Sequence, residues 1–188
     1  MKKILMTLSF ALFLMACKTT SVTTPKNQVD VSIDLVNVKE DKVQVTVTPP
    51  TLTTEKTTFH IPKIVPGTYS EDNYGRFVEN VKAFDKKGNP LKIAKIDENS
   101  YEISDATKLT KITYWVNDTF DTESGEGFGE GEDIFSPAGT NIKAGENFVI
   151  NTHGFVGYFE DKKEIPYSLE IKHPSSLWGA TSMTDMNS

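Results

Sequence analysis

Apolar and polar residues alternate along most of the chain with a period of two, not the 3.6 of an amphipathic helix. Val29, Val31, Ile33 and Leu35 form one such run, and Val43, Val45 and Val47 form the next after the turn-like stretch Asn37 to Lys42. A strand sends successive side chains to opposite faces, so each run predicts a strand with one buried face, and the short connection predicts an antiparallel pair. Phe59 and Ile61 begin a third strand. Pro62 and Pro66-Gly67 interrupt it, because proline removes a ladder donor and glycine admits positive φ. Val81 and Ala83, the turn Asp85 to Asn89, then Leu91 and Ile93 read as strand, turn and strand. Tyr101 with Ile103, Ile112 with Tyr114 and Val116, Phe148 with Ile150, and Ile165 with Tyr167, Leu169 and Ile171 add further alternating segments. No stretch longer than ten residues keeps a helical period, and the helix candidates are short, around Glu71 to Asn80. Many short strands punctuated by turn residues predict an all-β fold: an antiparallel β-sandwich with long loops and at most short helices, over residues 29–184, with a tail at 185–188.

One segment breaks the alternation. Asp118 to Asp133 holds seven carboxylates, four glycines and no basic residue. It has too little apolar surface to offset the entropy of ordering, so a mobile acidic loop is expected. Calcium prefers several carboxylate oxygens, yet Asp121-Thr-Glu123-Ser-Gly125 lacks the fifth-position carboxylate and the later Glu of an EF-hand, which favours a solvated loop.

The N-terminus follows different rules. Lys2 and Lys3 precede an uncharged run from Ile4 to Ala16, too short for the roughly 20 residues that cross a hydrocarbon core. Residues 1–16 therefore read as a secretory signal peptide. The run closes on Leu14-Met15-Ala16-Cys17, which resembles the lipobox of bacterial lipoproteins, and that resemblance implies cleavage before Cys17 and attachment of diacylglycerol to its sulfur. Residues 17–28 then form a polar tether rich in Ser and Thr. The partner implied is a membrane, reached through the lipid, with the acidic domain held off anionic headgroups. Lys18 stands where many inner-membrane lipoproteins carry Asp, so the localisation expected is the bacterial cell envelope, with the outer membrane favoured.

Composition removes several functions. The formal net charge of −6 argues against nucleic acid, since phosphate binding needs clustered cations. The single Cys excludes an intramolecular disulfide and a CxxC cage. There is no HExxH, and His60, His153 and His173 are too scattered in sequence to share a helical face as a zinc pair would, though folding can still bring them together. No GxSxG elbow appears, the glycines of the acidic stretch do not complete GxGxxG, and nothing marks one carboxylate pair as catalytic.

The run His60-Ile-Pro-Lys-Ile-Val-Pro66-Gly67-Thr68-Tyr69, followed by Tyr74-Gly-Arg76-Phe-Val78, resembles the N-terminal region of the PDZ-containing glycyl aminopeptidases, a family of thermolysin-like zinc metallopeptidases. Gly88-Asn-Pro-Leu91, Asn151-Thr-His-Gly154-Phe155-Val-Gly157-Tyr158, Pro166-Tyr167 and Pro174 with Trp178-Gly-Ala-Thr181 continue the likeness in order, over most of residues 29–184. The resemblance implies a β-rich domain that precedes a catalytic domain with HExxH and a PDZ domain. None of the family's catalytic positions falls in this chain, which is expected to be truncated and inactive alone, with no cofactor of its own; zinc belongs to a full-length relative. The partners implied are the missing catalytic and PDZ domains.

Tyr69, Tyr74 and Arg76 are the candidate contacts with such a domain or with a peptide, because Pro66-Gly67 suits a type II turn that presents Tyr69 at a loop. The opposing expectation is that the tyrosines cap the core and Arg76 makes a local salt bridge. Phe155, Tyr158 and Phe159 are candidates for an apolar docking patch, with the core as the stronger alternative. The rival function is a lipid-anchored envelope module that stacks a glycan or peptide on Tyr69, Tyr74, Trp115 or Trp178.

Overall fold

The computed structural model describes residues 26–121, 134 and 136–185. The signal peptide, Cys17 and most of the acidic stretch lie outside the described residues. The strands are β1 (Val29–Lys39), β2 (Lys42–Thr48), β3 (Lys56–His60), β4 (Val78–Phe84), β5 (Pro90–Leu91), β6 (Ile93–Asp97), β7 (Ser100–Ser104), β8 (Lys111–Asn117), β9 (Asn141–Lys143), β10 (Asn147–Val149), β11 (Tyr158–Phe159) and β12 (Tyr167–Lys172). They form a six-stranded sheet in the order β12-β1-β2-β8-β4-β5, a four-stranded sheet β11-β3-β7-β6 and the small hairpin β9-β10. The all-β reading holds. Among the described residues, helix is limited to α1 (Thr152–Phe155) and 3-10 turns, one of which, Tyr74–Phe77, falls inside the short helix expected near Glu71 to Asn80.

The period-two pattern is realised directly. Val29, Val31, Ile33 and Leu35 from β1, Val43, Val45 and Val47 from β2, and Ile112, Tyr114 and Val116 from β8 are all buried on one face of the large sheet. Phe59, Tyr101, Ile103 and Phe159 cover them from the small sheet. Phe59 bridges the layers, with its ring 5.9 Å from that of Tyr114 and 5.2 Å from that of Phe159.

Three features depart from simple alternation. The strand expected through Leu91 and Ile93 is divided: Leu91 pairs with Ala83 in the large sheet, whereas Ile93 pairs with Ile103 in the small one, so the chain turns a sandwich corner at Lys92. In β4 the register shifts between Glu79 and Lys82, where Asn80 has a φ of 53°. That bulge resets the phase so that Val78 and Ala83, an odd number of residues apart, both face the core. Finally, β12 lies parallel to β1, Val29 opposite Tyr167, while the other strand pairs are antiparallel. Parallel pairing needs a crossover, and the chain makes it by passing from β11 in the small sheet to β12 at the edge of the large one.

Order also extends beyond the strands. Lys26, placed in the tether by sequence, exchanges two hydrogen bonds with Thr51 and pairs with Asp30. At the base of the acidic stretch Asp118 and Thr119 are buried. Asp118 accepts from the backbone N–H groups of Phe120 and Ile142 at 2.7 and 2.6 Å, and Thr119 and Thr140 are hydrogen-bonded reciprocally.

The 3-10 turn is locked against the β6-β7 hairpin through a glycine. A Cβ on Gly75 would lie 2.1 Å from the Glu98 carbonyl oxygen and 2.8 Å from the Asn99 Cα, both backbone atoms that cannot swing aside. Gly75→Ala is expected to destabilise the domain by about 3 kcal/mol, the upper range for overpacking, read as a lower denaturant midpoint with an unchanged slope. An unaltered midpoint would show that the hairpin yields freely. Acid sensitivity is also built in. The Asn89 side chain and backbone hold the Asp85 carboxyl below the usual range, and the Asn99 N–H, then Ser100 and Lys63, do the same for Asp97. Both groups bind protons more readily unfolded, so their contribution is present above the ordinary value of 3.8 and lost as pH falls through the lower folded values. Replacing both with Asn should flatten the fall in stability below about pH 5, measured by denaturation at a series of pH values.

Candidate functional site

The chain leaves β3 at His60, runs through Pro62 and returns to the 3-10 turn at Tyr74. Between them residues 63–73 form a closed loop: the Lys63 carbonyl accepts from the N–H groups of both Asp72 and Asn73, at 2.8 and 2.9 Å. Within it the Thr68 N–H donates to the Val65 carbonyl at 3.2 Å and Gly67 has a φ of 95°, as a type II turn with proline second and glycine third requires. The turn pushes Tyr69 outward. Its side chain is fully exposed, and its φ of 58° is a left-handed conformation that an aromatic residue seldom adopts. Ile64, 46% exposed, adds apolar surface on the same loop.

What holds the loop is polar and buried. Asp72 accepts from Ser70 Oγ at 2.8 Å. Asn99 accepts from the Gly75 N–H at 2.9 Å, donates to the Asn73 side chain at 3.0 Å, and its carbonyl receives the Ile61 N–H at 2.7 Å. One residue thus ties the exit of β3, through its backbone carbonyl, and the loop and the 3-10 turn, through its side chain, to the β6-β7 hairpin. Neither Asp72 nor Asn99 stands out in the sequence. The only local signal for Asn99 is its place in Asp97-Glu-Asn99, a turn in which Asp97 accepts the Asn99 N–H at 2.8 Å.

The three sequence candidates separate here. Tyr69 is presented to solvent, but Tyr74 is wholly buried and no part of the exposed surface. Its hydroxyl donates to the Ala138 carbonyl at 2.7 Å and lies 3.4 Å from both Asp72 Oδ2 and Asn151 Nδ2. Burial, and then the Asp72 carboxylate, push the Tyr74 phenol well up, which keeps it protonated as a donor. Arg76 donates from Nε to the Asp72 carbonyl at 3.1 Å and lays its guanidinium 4.6 Å from the Phe77 ring centroid; it braces the loop through backbone and ring. Phe155 and Phe159 are core residues, which removes them from any docking patch. Tyr158 is half-buried and stacked on His60 with centroids 5.0 Å apart. Trp115 is half-buried with the Lys39 ammonium 5.6 Å from its ring, whereas Trp178 is 88% exposed beyond β12.

The histidines do not converge. His60 contacts Ser100 Oγ through Nδ1 at 2.9 Å and Glu160 through Nε2 at 2.6 Å. His153 lies against Asn151, which caps α1 by accepting the His153 N–H, and His173 contacts the Pro174 carbonyl. Among the described residues there is no group of three or more His, Cys, Asp or Glu side chains arranged to hold a metal ion. At the base of the acidic stretch, burial and then the charges of Asp118 and Asp41 raise the Asp121 carboxyl.

No curated protein is significantly similar to this chain. Among solved structures it is similar to an aminopeptidase N family protein from Idiomarina loihiensis, with a TM-score of 0.62 at 14% sequence identity. At that identity the likeness is one of fold. The match covers 78% of this chain and 22% of the other, so the chain corresponds to a small part of that protein. The profile of the peptidase M61 N-terminal domain matches residues 30–188, the whole sandwich and the loop it carries, and the chain belongs to that family.

Proposed function

We propose that this chain is the non-catalytic N-terminal β domain of a lipid-anchored zinc aminopeptidase-like protein, and that it packs on, or helps shape the substrate side of, a catalytic domain outside these 188 residues. The observation that carries the reading is the closed loop 63–73: a solvent-exposed Tyr69 on a braced backbone, with Ile64 exposed on the same loop. An ordered aromatic at a loop tip loses little entropy when a partner covers it, and such residues are frequent binding hot spots. Membership of the family and the fold shared with part of a longer aminopeptidase-type protein support the same reading.

The described residues do not fit a zinc site, because the three histidines are engaged separately. No hydrolytic step is assigned to them. The rival reading, a glycan or peptide module, draws on the exposure of Tyr69 and Trp178. It is weaker because neither residue lines the depression at Asp30, Thr46 and Ser168 or the one at Tyr158 and Tyr167. For localisation, the lipobox-like Leu14-Met-Ala-Cys17 supports anchoring in the bacterial cell envelope, with the outer membrane favoured.

Two experiments test this reading. Mixing the chain with a catalytic domain of the M61 family should raise the melting temperature of both, and Tyr69→Ala should weaken the complex at least about tenfold (about 1.4 kcal/mol) without altering the melting of the chain alone. Absence of mutual stabilisation would sink the docking role. Separately, cells fed labelled palmitate should label the wild-type chain and not Cys17→Ser; equal labelling of both would remove the anchor.

A further inference from the structure

The six-stranded sheet ends at β12, and among the described residues no strand pairs with its outer side. β12 runs in unbroken register with β1 from Tyr167 to Lys172, and the Val29 N–H donates to the Pro166 carbonyl at 3.0 Å. In a parallel pair, alternate residues of a strand bond to the same neighbour. The main-chain groups of Ser168 and Glu170 therefore serve β1, while those of Tyr167, Leu169 and Ile171 point outward, without a strand to receive them. The two faces of the strand differ as sharply. Leu169 and Ile171 lie beside Val31 and Ile33 on the core side, yet Leu169 is only half-buried and Ile171 is 38% exposed, so the core face is left incomplete at this margin. Glu170 and Lys172 stand exposed on the other face, where the Glu170 carboxylate accepts from Ser32 Oγ at 3.1 Å and lies 3.9 Å from the Lys172 ammonium.

We propose that this edge pairs with the same edge of a second copy of the chain, antiparallel about a two-fold axis at Ile171, so that the two large sheets become one. The order of charges selects both the partner and the register. With Ile171 opposite its own copy, Glu170 stands opposite Lys172 of the second copy, Lys172 opposite its Glu170, and Leu169 opposite its His173. Ile171 and Leu169, whose main-chain groups point outward, take the hydrogen-bonded positions. Each Glu170 and Lys172 pair then falls at a non-hydrogen-bonded position, where side chains approach most closely. A slip of two residues brings Glu170 against Glu170 in one direction and Lys172 against Lys172 in the other, and like charges directly opposite are destabilising. A slip of one residue sets the apolar face of one copy beside the charged face of the other. Centring the pair on Leu169 avoids like charges but leaves Glu170 opposite Ser168, with no ion pair gained. The charges that turn other strands away are thus complementary to this one. The contact uses the same patch on both copies, so it closes at two. It lies on the large sheet, whereas loop 63–73 leaves the small one, and it does not depend on docking to a catalytic domain.

The test is analytical ultracentrifugation of the full chain carrying Cys17→Ser, over a range of concentrations, together with charge variants and cross-linking. A reversible equilibrium between one copy and two is expected. Glu170→Lys sets like charges across the seam twice and should raise the dimer dissociation constant by about tenfold or more, while Glu170→Lys combined with Lys172→Glu restores opposite charges and should return it to within about threefold of the starting value. In the same background Ile171→Cys should form a disulfide-linked dimer on mild oxidation, because directly opposed residues in a hydrogen-bonded pair lie about 5.5 Å apart at Cα, within disulfide reach. Leu169→Cys should not. A chain that stays monomeric up to about 1 mM leaves the edge to a strand of some other protein and overturns the proposal. A dimer indifferent to Glu170→Lys, no recovery in the double variant, or cross-linking at Leu169 in place of Ile171 overturns it as well.

Discussion

The contact between Phe59 and Tyr114 decides the rest of the molecule. It is where the small sheet meets the large one, ring against ring at 5.9 Å, and both side chains are fully removed from water. Tyr114 brings a hydroxyl into that interior, and the cost of burying it is offset by a 2.6 Å hydrogen bond to the Phe155 carbonyl. The same phenol therefore welds the sheets together and fixes the end of α1, which places the following Gly157 and Tyr158. Burial pushes the Tyr114 phenol far above its ordinary value, so no ionised form disturbs the contact under ordinary conditions. Removing a side chain like Phe59 costs roughly 3–5 kcal/mol in proteins of this kind, a large share of a typical stability.

From this junction the loop 63–73 inherits its rigidity. Phe59 anchors β3, His60 is held on both ring nitrogens, and the Ile61 N–H reaches Asn99. By Pro62 the chain has been aimed by three consecutive residues. The loop then closes on the Lys63 carbonyl, so its tip projects from a fixed base. Tyr69 can sit in a strained left-handed conformation because the Thr68 to Val65 bond before it and the Asp72 to Lys63 and Ser70 to Asp72 bonds after it over-determine the backbone. Strain held at an exposed aromatic tip is consistent with selection for presenting that residue, since folding alone gains nothing from it.

The alternation of Val29 to Leu35, Val43 to Val47 and Ile112 to Val116 made the large sheet legible, because burial on one face imposes a period of two on the sequence. The corner at Lys92 was not legible. Leu91 and Ile93 look like one strand, and only the competition of two sheets for the same segment divides them. The parallel pairing of β12 with β1 was hidden for a similar reason: pairing direction depends on the route the chain takes between sheets, which side-chain pattern does not encode. Within the loop the type II turn and the exposure of Tyr69 followed from Pro66-Gly67, whose backbone preferences act locally. The burial of Tyr74 did not, because it depends on the distant Ala138 carbonyl and Asn151. Asn99 was invisible for the same cause: its importance lies in three partners that folding alone brings together.

The edges of the sandwich show how such a domain divides its work. At the outer edge of the large sheet, β12 carries Glu170 and Lys172, charges of the kind that discourage pairing with stray strands. At the outer edge of the small sheet, β11 is two residues long, too short to template aggregation. One edge is guarded by charge and the other by brevity. His60 links that short edge to the loop, since the residue that stacks on Tyr158 is also the last of β3 before the chain turns toward Tyr69.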